Sequence, residues 1–453
     1  MKKSRPASRA VAGGVAVVLA TMLTVACSDD SGTKEAKSSP SATAAAVAPS
    51  AQASSVGTPS ASDPASPAQS APAKEVTFWG SWSGDQVAQL EKQTAAYNSA
   101  QSTYTVKYVA QEIVEAKLLT GIASGLVPDV VLWDRNQTPL YVNKGALAPI
   151  DDYIKKDGVD LAQFYDQALG EMVIDGKTYG VPLLVDNRSL FYNKTILEKA
   201  GVKPPTNWDE LRSVAKAVTV KSGGKVSRAG FSLGDPGLFA MYLRQAGGSM
   251  FSEDGKKTAF NSAQGLEVLD YWKSVMDDGS FSLGFGEGVD AFAEGNLAMK
   301  YDGPWALTGL QAGAVDFGIV EPPRGARGDA GAGMGGFGLV IPTGAKNTDG
   351  AWDFIKWWTT QAENGVGFAK ISGWIPANKK AANDSYFTNN PHYAAFIKTM
   401  DYAKVRPSIP GAADVEGKAL IPELQRFMAG EISGKQALTN AQSAADDILA
   451  QNS

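Results

Sequence analysis

Cysteine and histidine are nearly absent from this chain of 453 residues, which contains one of each. A single cysteine permits no disulfide within the chain, and no cysteine–histidine cluster is available for a structural zinc ion. A mechanism that needs a histidine base would depend on His392 alone, which lies in a polar Asn-Pro-His turn and is expected at the surface. The composition therefore predicts no metal site and disfavours histidine-dependent catalysis.

Dense positive charge is also missing outside the N-terminus, and the formal net charge is −5. This balance argues against nucleic-acid binding. The apolar run over residues 11–23 is too short to span a bilayer comfortably, and basic residues precede it, as in an export signal. The sequence therefore predicts an exported protein.

Small residues lead from that apolar run to Cys27, and Ser28 and two aspartates follow it. This arrangement resembles a bacterial lipoprotein signal, which implies that residues 1–27 are a signal peptide and that Cys27 is lipidated. The alternative is an ordinary or uncleaved signal with an incidental cysteine. Residues 28–74 contain mostly Ala, Ser, Pro, Thr and Gln, so we expect a disordered tether that cannot bury enough apolar surface to fold.

Strand and helix patterns alternate in the next part of the chain. Strands are predicted over residues 75–80, 104–109 and 127–134, with helical spacing of apolar residues between them. A β-α-β-α-β order predicts a mostly parallel sheet, with ligands at the carboxyl ends of its strands. Tryptophans and polar residues fall at two of these strand ends, so a binding site is expected there.

Trp305 directly follows a Gly-Pro pair at the end of the stretch 293–305. The preceding residues predict a helix that ends near Ala293, a turn at Gly295 and a short strand over 297–299. Gly and Pro restrict the backbone before the tryptophan, so we expect its ring at a surface or cleft, where a flat apolar face suits the C–H side of a sugar. The alternative is an ordinary buried aromatic residue.

Several motifs occur in a fixed order along the chain. They are PDVVLWDR from Pro128, GALAPIDDY from Gly145, a crossover that contains Asp186, the pattern FxxGxxAMxxxGPW that ends at Trp305, and GWIP from Gly373. Together they resemble the extracellular solute-binding proteins of sugar-importing ABC transporters, most closely the maltose and oligosaccharide binders.

The resemblance implies an α/β, two-lobed periplasmic-binding-protein fold (type II). Each lobe would be a mostly parallel sheet flanked by helices, with the ligand in the cleft between the lobes. The first lobe would comprise residues 75–185 and 338–374, and the second lobe residues 186–337 and 375–453.

The candidate site combines aromatic plates for sugar faces with charged groups for sugar hydroxyls. The aromatic candidates are Trp79, Trp82, Trp133, Phe239, Trp305 and Trp374. The polar candidates are Ser81, Asp134, Arg135, Asp186, Arg188, Asp235 and Arg406, with Gly336 at a close approach of the backbone. Phe239 is included because Gly237 stands where the maltose binders have an aromatic residue. A buried structural salt bridge is the alternative for Asp186 and Arg188.

The resemblance also implies the role. The chain would be a monomer without a cofactor or enzymatic activity, lipid-anchored to the outer face of the bacterial cell membrane. It would capture a sugar, such as a malto-oligosaccharide, by hinge closure and deliver it to an ABC permease. A secreted glycosidase that uses Asp134 and Asp186 is one alternative. A binder of the same fold for a polyamine, a glycerol phosphate or a metal chelate is the other.

Overall fold

Strands and helices alternate from Lys74 onward, and the computed structural model describes residues 73–452. The predicted signal peptide, Cys27 and nearly all of the predicted tether lie outside the described residues. Within residues 73–452, no helix combines the length and the apolar character that a membrane crossing requires.

Fifteen strands occur in the described residues. They are β1 (Lys74–Gly80), β2 (Tyr104–Ala110), β3 (Val130–Asp134), β4 (Val173–Ile174), β5 (Lys177–Thr178), β6 (Gly180–Pro182), β7 (Leu184–Asn187), β8 (Ser189–Asn193), β9 (Val220–Ser222), β10 (Lys225–Arg228), β11 (Met299–Asp302), β12 (Phe317–Val320), β13 (Met334–Gly335), β14 (Phe337–Val340) and β15 (Ile375–Pro376).

The helices of the same range are α1 (Asp85–Ala100), α2 (Val114–Ser124), α3 (Thr138–Asn143), α4 (Asp151–Asp157), α5 (Asp166–Gly170), α6 (Lys194–Lys199), α7 (Trp208–Val218), α8 (Phe239–Gln245), α9 (Ala263–Asp277), α10 (Ala306–Ala312), α11 (Thr348–Thr360), α12 (Ala362–Ser372), α13 (Lys379–Ala382), α14 (Ser385–Thr388), α15 (Pro391–Met400), α16 (Ala412–Asp414), α17 (Ile421–Met428) and α18 (Gly434–Gln451). A π-helical segment, Val415–Leu420, joins α16 to α17.

The first sheet has the strand order β2-β1-β3-β14-β6. Strand β1 pairs in parallel with both β2 and β3, which confirms the parallel arrangement predicted for the opening strands. Strand β14 returns to this sheet from far along the chain and pairs antiparallel with β3 and β6. The first lobe is therefore closed by a segment that follows most of the second lobe in sequence.

The second sheet has the order β11-β8-β12, and β8 pairs antiparallel with both neighbours. The expectation of a mostly parallel sheet in each lobe is therefore correct for the first lobe and wrong for these three strands. The central strand β8 arrives from the other lobe and runs against the two strands that flank it.

A third sheet, β13-β7-β15, joins the chain segments that pass between the two larger sheets. Strand β7 pairs antiparallel with both partners, so Asp186 lies opposite Gly335 and Val185 opposite Ile375. This small sheet supports a two-lobed fold with several crossings close together. The lobe limits at residues 185–186, 337–338 and 374–375 stay a prediction.

Residues 283–295 form turns, so the helix predicted to end near Ala293 is wrong. Gly284, Gly286, Gly288 and Gly295 have φ angles of 77°, 75°, 81° and 76°, which a right-handed helix does not allow. The strand predicted over 297–299 instead begins at Met299. The turns bring Asp290 and Ala293 to the edge of the groove described next.

Candidate functional site

A groove with a volume of about 830 Å³ runs between the two lobes. Trp82, Gln86 and Gln89 line it from the first lobe, and Trp305 and Thr308 line it from the second. A smaller cavity of about 280 Å³ adjoins it. The groove and the small cavity share four lining residues, which are Asp186, Arg188, Gly335 and Arg406. The site is therefore continuous across the sheet of crossover strands.

Four aromatic side chains form one wall of the groove. The ring centroids of Trp82 and Trp374 lie 5.5 Å apart with the planes 19° from parallel. Phe337 meets both rings edge-on, at 5.3 Å from Trp82 and 5.5 Å from Trp374. Trp305 lies 4.8 Å from Trp374. The structure therefore brings together three of the tryptophans that the sequence predicted for the site.

A close approach of the backbone holds Trp374 against Trp305. Gly373, which ends α12, has a φ of 78°, and a Cβ atom there would lie 2.6 Å from the carbonyl oxygen of Pro304. Only glycine accepts both conditions without strain. The close packing of Gly373 against Pro304 therefore keeps the rings of Trp305 and Trp374 in contact.

Exposure distinguishes the tryptophans of this wall. Trp82 and Trp374 are each 5% exposed, whereas Trp305 is partly exposed. The Arg188 guanidinium lies over the Trp305 ring, with its central carbon 4.3 Å from the ring centroid. Trp305 is therefore the most exposed tryptophan of the wall, and Arg188 covers one of its faces.

Charged side chains line the floor where the groove meets the small cavity. The Arg188 Nη1 atom donates to Asp186 Oδ1 at 3.2 Å. The Arg406 guanidinium donates to both oxygens of Glu416, at 2.6 and 3.1 Å. Burial raises the pKa of Asp134, an effect that Arg406 and Arg135 oppose and Asp186 reinforces. The floor thus offers both acceptors and donors to sugar hydroxyls.

Arg135 does not reach this floor, which corrects its assignment as a ligand contact. Its side chain is fully buried, and Nε lies 2.9 Å from Glu171 Oε2. The remaining nitrogens donate to carbonyl oxygens of Leu184, Gly335 and Phe337. Arg135 therefore ties the first lobe to the strands that cross between the lobes.

The structure places Trp79 and Trp133 away from the groove, on the opposite face of the first sheet. Successive side chains of a strand point to opposite faces of the sheet. Phe78 and Leu132 face the main core, so Trp79 and Trp133 lie on the other face, in a cluster with Tyr141. Trp133 is fully buried, with its ring centroid 4.9 Å from that of Tyr141.

Phe239 and Ser81, two further residues predicted for the site, also lie outside the groove and the small cavity. Phe239 is 1% exposed and meets Trp272 edge-on at 6.0 Å, so it packs in the second lobe and does not replace the missing aromatic residue at Gly237. Ser81 is exposed in the loop after β1 and lines none of the cavities described here.

The other predicted residues border the site. Asp235 is exposed at the rim of the small cavity, and its carboxylate accepts from the backbone nitrogen of Gly237 at 2.9 Å. Gly336 has a φ of 125°, and a Cβ atom there would lie 2.2 Å from the carbonyl oxygen of Leu184. Arg406 borders both cavities.

Sequence reasoning missed several residues of the site. Gln86 and Gln89 lie on the first turns of α1, directly after the Trp82 loop, and their proximity to that loop was an available signal. Arg244, Lys404 and Glu416 line the small cavity, but they come from α8, from the loop after α15 and from the π-helical segment. No local pattern relates these distant segments.

The two lobes, the crossover strands and the groove between the lobes define a ligand-binding protein with the type II periplasmic-binding-protein fold. A family model described as bacterial extracellular solute-binding protein matches residues 92–395, so the chain belongs to that family of ABC-importer components.

Individual proteins resemble the chain over most of its length. The diacetylchitobiose-binding protein DasA of Streptomyces coelicolor is 28% identical over 368 residues, which cover 75% of this chain and 81% of that protein. The maltotriose-binding protein of Pyrococcus abyssi is 23% identical over 349 residues, or 76% of this chain and 75% of that protein. Among solved structures, the chain is similar to the GacH receptor of Streptomyces glaucescens, which was studied unliganded and with acarbose. The two chains are 26% identical with a TM-score of 0.76, and the match covers 84% of this chain and 100% of the receptor chain.

Proposed function

We propose that this protein captures an oligosaccharide in the groove between its lobes and delivers it to an ABC permease. The observation that carries the proposal is the aromatic wall with Trp305 beside the charged floor formed by Asp186 and Arg406. Sugars present C–H groups on their faces and hydroxyls around their rims, so they need both kinds of surface together. The names of the relatives, which bind diacetylchitobiose and maltotriose, support a sugar as the ligand.

Malto-oligosaccharides are the first ligands to test, because the motifs around Trp305 and Asp186 are most similar to those of the maltose binders. Titration of the folded protein with maltotriose in a calorimeter should show saturable binding, and ligand should raise the melting temperature. A panel of other oligosaccharides would identify the preferred linkage. Binding of an amine, a glycerol phosphate or a metal chelate, with no response to any sugar, would overturn the proposal.

Hinge closure is the mechanism by which the lobes would grip the sugar. The crossover sheet β13-β7-β15 offers only short paired segments as the pivot, while each lobe has its own larger sheet. Small-angle scattering should therefore show a smaller radius of gyration when saturating sugar is added. An unchanged radius together with tight binding would contradict closure.

Delivery at the membrane would depend on the N-terminus. We propose export, lipidation of Cys27 and attachment to the outer face of the cell membrane as a monomer, with residues 28–74 as a tether. The tether would raise the effective concentration of the protein near its permease. In cells, the protein should partition with membranes, and the Cys27→Ala variant should be released in soluble form. Equal membrane partitioning of both forms would refute anchoring through Cys27.

We propose that the protein binds its sugar without cleaving it. The relatives reported above are named as binding proteins, which favours this role over a glycosidase. Prolonged incubation of pure protein with maltotriose should return the trisaccharide intact by chromatography. Release of maltose and glucose that stops in the Asp134→Asn variant would establish the glycosidase instead.

A further inference from the structure

Arg244 stands out among the charged residues of the small cavity. It lies in the last turn of α8, is partly buried, and forms no ion pair with any carboxylate in the described residues. In the part of the chain that the structure describes, its side chain makes one hydrogen bond, from Nη2 to the carbonyl oxygen of Val405 at 3.5 Å. Burial and the neighbouring Arg406 lower the pKa of Arg244, and the charge of Glu416 opposes this shift. The guanidinium nevertheless stays protonated, as arginine does in proteins, and it is partly buried with a single long hydrogen bond.

The carboxylates around this cavity already have partners. Asp186 accepts from Arg188, and Glu416 accepts from Arg406 through both oxygens. Asp235 is exposed and accepts from the backbone of Gly237. Four cationic side chains (Arg188, Arg244, Lys404, Arg406) thus line the cavity with three carboxylates (Asp186, Asp235, Glu416), and within residues 73–452 neither Arg244 nor Lys404 forms an ion pair. The cationic side chains that line the cavity therefore outnumber its carboxylates by one.

The size of the cavity suits one sugar unit. Its volume of about 280 Å³ lies near the lower end of small-molecule pockets. Met250, Phe251 and Pro407 supply apolar surface beside the arginine. Because the cavity opens into the groove across Asp186 and Arg406, the end of a chain that lies along the aromatic wall can enter it.

We propose that this cavity recognises a carboxylate on the terminal unit of the bound oligosaccharide, with Arg244 as its forked hydrogen-bond donor. A guanidinium matches the two oxygens of a carboxylate, and such charge-assisted pairs are stronger than hydrogen bonds to neutral hydroxyls. The ligand class is therefore an acidic oligosaccharide that ends in a hexuronic acid. The inference rests on the proposed function, because it assigns one end of the same ligand.

A matched pair of ligands tests it. Maltotriose and the same trisaccharide with one terminal C6 oxidised to a carboxylate differ only in the acidic group, and digalacturonate against galactobiose provides a second pair. In at least one pair, we expect calorimetry to show about ten- to hundredfold tighter binding of the acidic member. The Arg244→Gln variant should abolish that preference while it still binds the neutral member.

The control is Arg212→Gln, which removes an arginine of α7 that lines none of these cavities. This variant should retain the preference, and the melting temperatures of both ligand-free variants check that they are folded. Equal affinity within both pairs, or a preference that Arg244→Gln leaves intact, would overturn the inference and leave sugar binding standing. Tighter binding of a phosphorylated maltotriose than of the carboxylate form would also overturn it. Failure to bind any sugar would instead reject the proposed function.

Discussion

The guanidinium carbon of Arg188 lies 4.3 Å from the ring centroid of Trp305, and the same side chain is paired with Asp186 at 3.2 Å. One arginine therefore connects the aromatic wall of the groove to its charged floor. A sugar that stacks on this face of Trp305 must first displace the guanidinium, which then becomes a donor for sugar hydroxyls. On the proposed function, we therefore expect a sugar that stacks on this face to replace Arg188 as the partner of the ring.

Trp305→Ala should weaken the binding of maltotriose by about 1–3 kcal/mol, because the variant loses the most exposed tryptophan of the groove. Calorimetry measures this loss. Trp79→Ala is the matched control, since Trp79 is also partly exposed but lies on the outer face of the first sheet. The control should lower the melting temperature and leave the affinity unchanged. A Trp305→Ala variant that melts early but binds normally would show that this ring serves packing.

The Asp186→Asn variant tests whether Asp186 binds the ligand or only forms a structural ion pair with Arg188. The carboxylate borders both cavities and its side chain is 11% exposed. We expect the variant to bind sugar about 1.5–3 kcal/mol more weakly, because a charged acceptor becomes neutral. Titration of folded variant and wild type gives the comparison. If the melting temperature falls while affinity holds, the Asp186–Arg188 pair is a structural salt bridge.

Glu171 should make stability depend on pH. Burial raises the pKa of its carboxyl from 4.5 to about 7, and Arg135 opposes the rise. Because the folded state keeps this proton to a higher pH than the unfolded state, the stability that the group contributes is full below pH 4.5 and is lost as the pH rises to about 7. Urea unfolding across this range should show a decline that is reduced in Glu171→Gln. Parallel curves for the two proteins would contradict this assignment.

Gly373→Ala should destabilise the protein and weaken sugar binding together. An added Cβ atom would meet the Pro304 carbonyl oxygen at 2.6 Å and force Trp374 away from Trp305. Gly125→Ala is the control, because that glycine also has a positive φ of 72° but nothing lies within 4 Å of the added atom. The control should cost about 1 kcal/mol from backbone strain alone. Equal losses in the two variants would argue against the close approach at Gly373.

Local patterns in the sequence were enough to predict part of this architecture. The alternation of strands and helices before Asp134 specified the parallel strands β1, β2 and β3, and the spacing of apolar residues located α1 and α2. The motif that ends in Trp305 and the one that contains Trp374 located two tryptophans that meet in the groove. These predictions succeeded because strand and helix periodicity and Gly-Pro turns depend on nearby residues.

The site residues that the sequence misplaced or missed depend on side-chain orientation and on contacts between distant segments. Trp79 and Trp133 stand at the correct strand ends, but the two-residue period of a strand turns them to the outer face. Arg135 looked like a ligand contact because its partner Glu171 is 36 residues away in sequence. The sequence could not identify Arg244 as a residue of the site, because it joins the small cavity through contacts with segments more than 150 residues further along the chain.

Arg406 borders the groove, the small cavity and a third cavity of about 640 Å³ beside it. A single side chain is therefore the common boundary of all three compartments. A ligand that extends from one compartment into another would therefore lie close to this guanidinium. If an oligosaccharide occupies these compartments as proposed, we expect the binding energies of its successive units to be coupled through Arg406, so that affinity rises in unequal steps as the oligosaccharide lengthens.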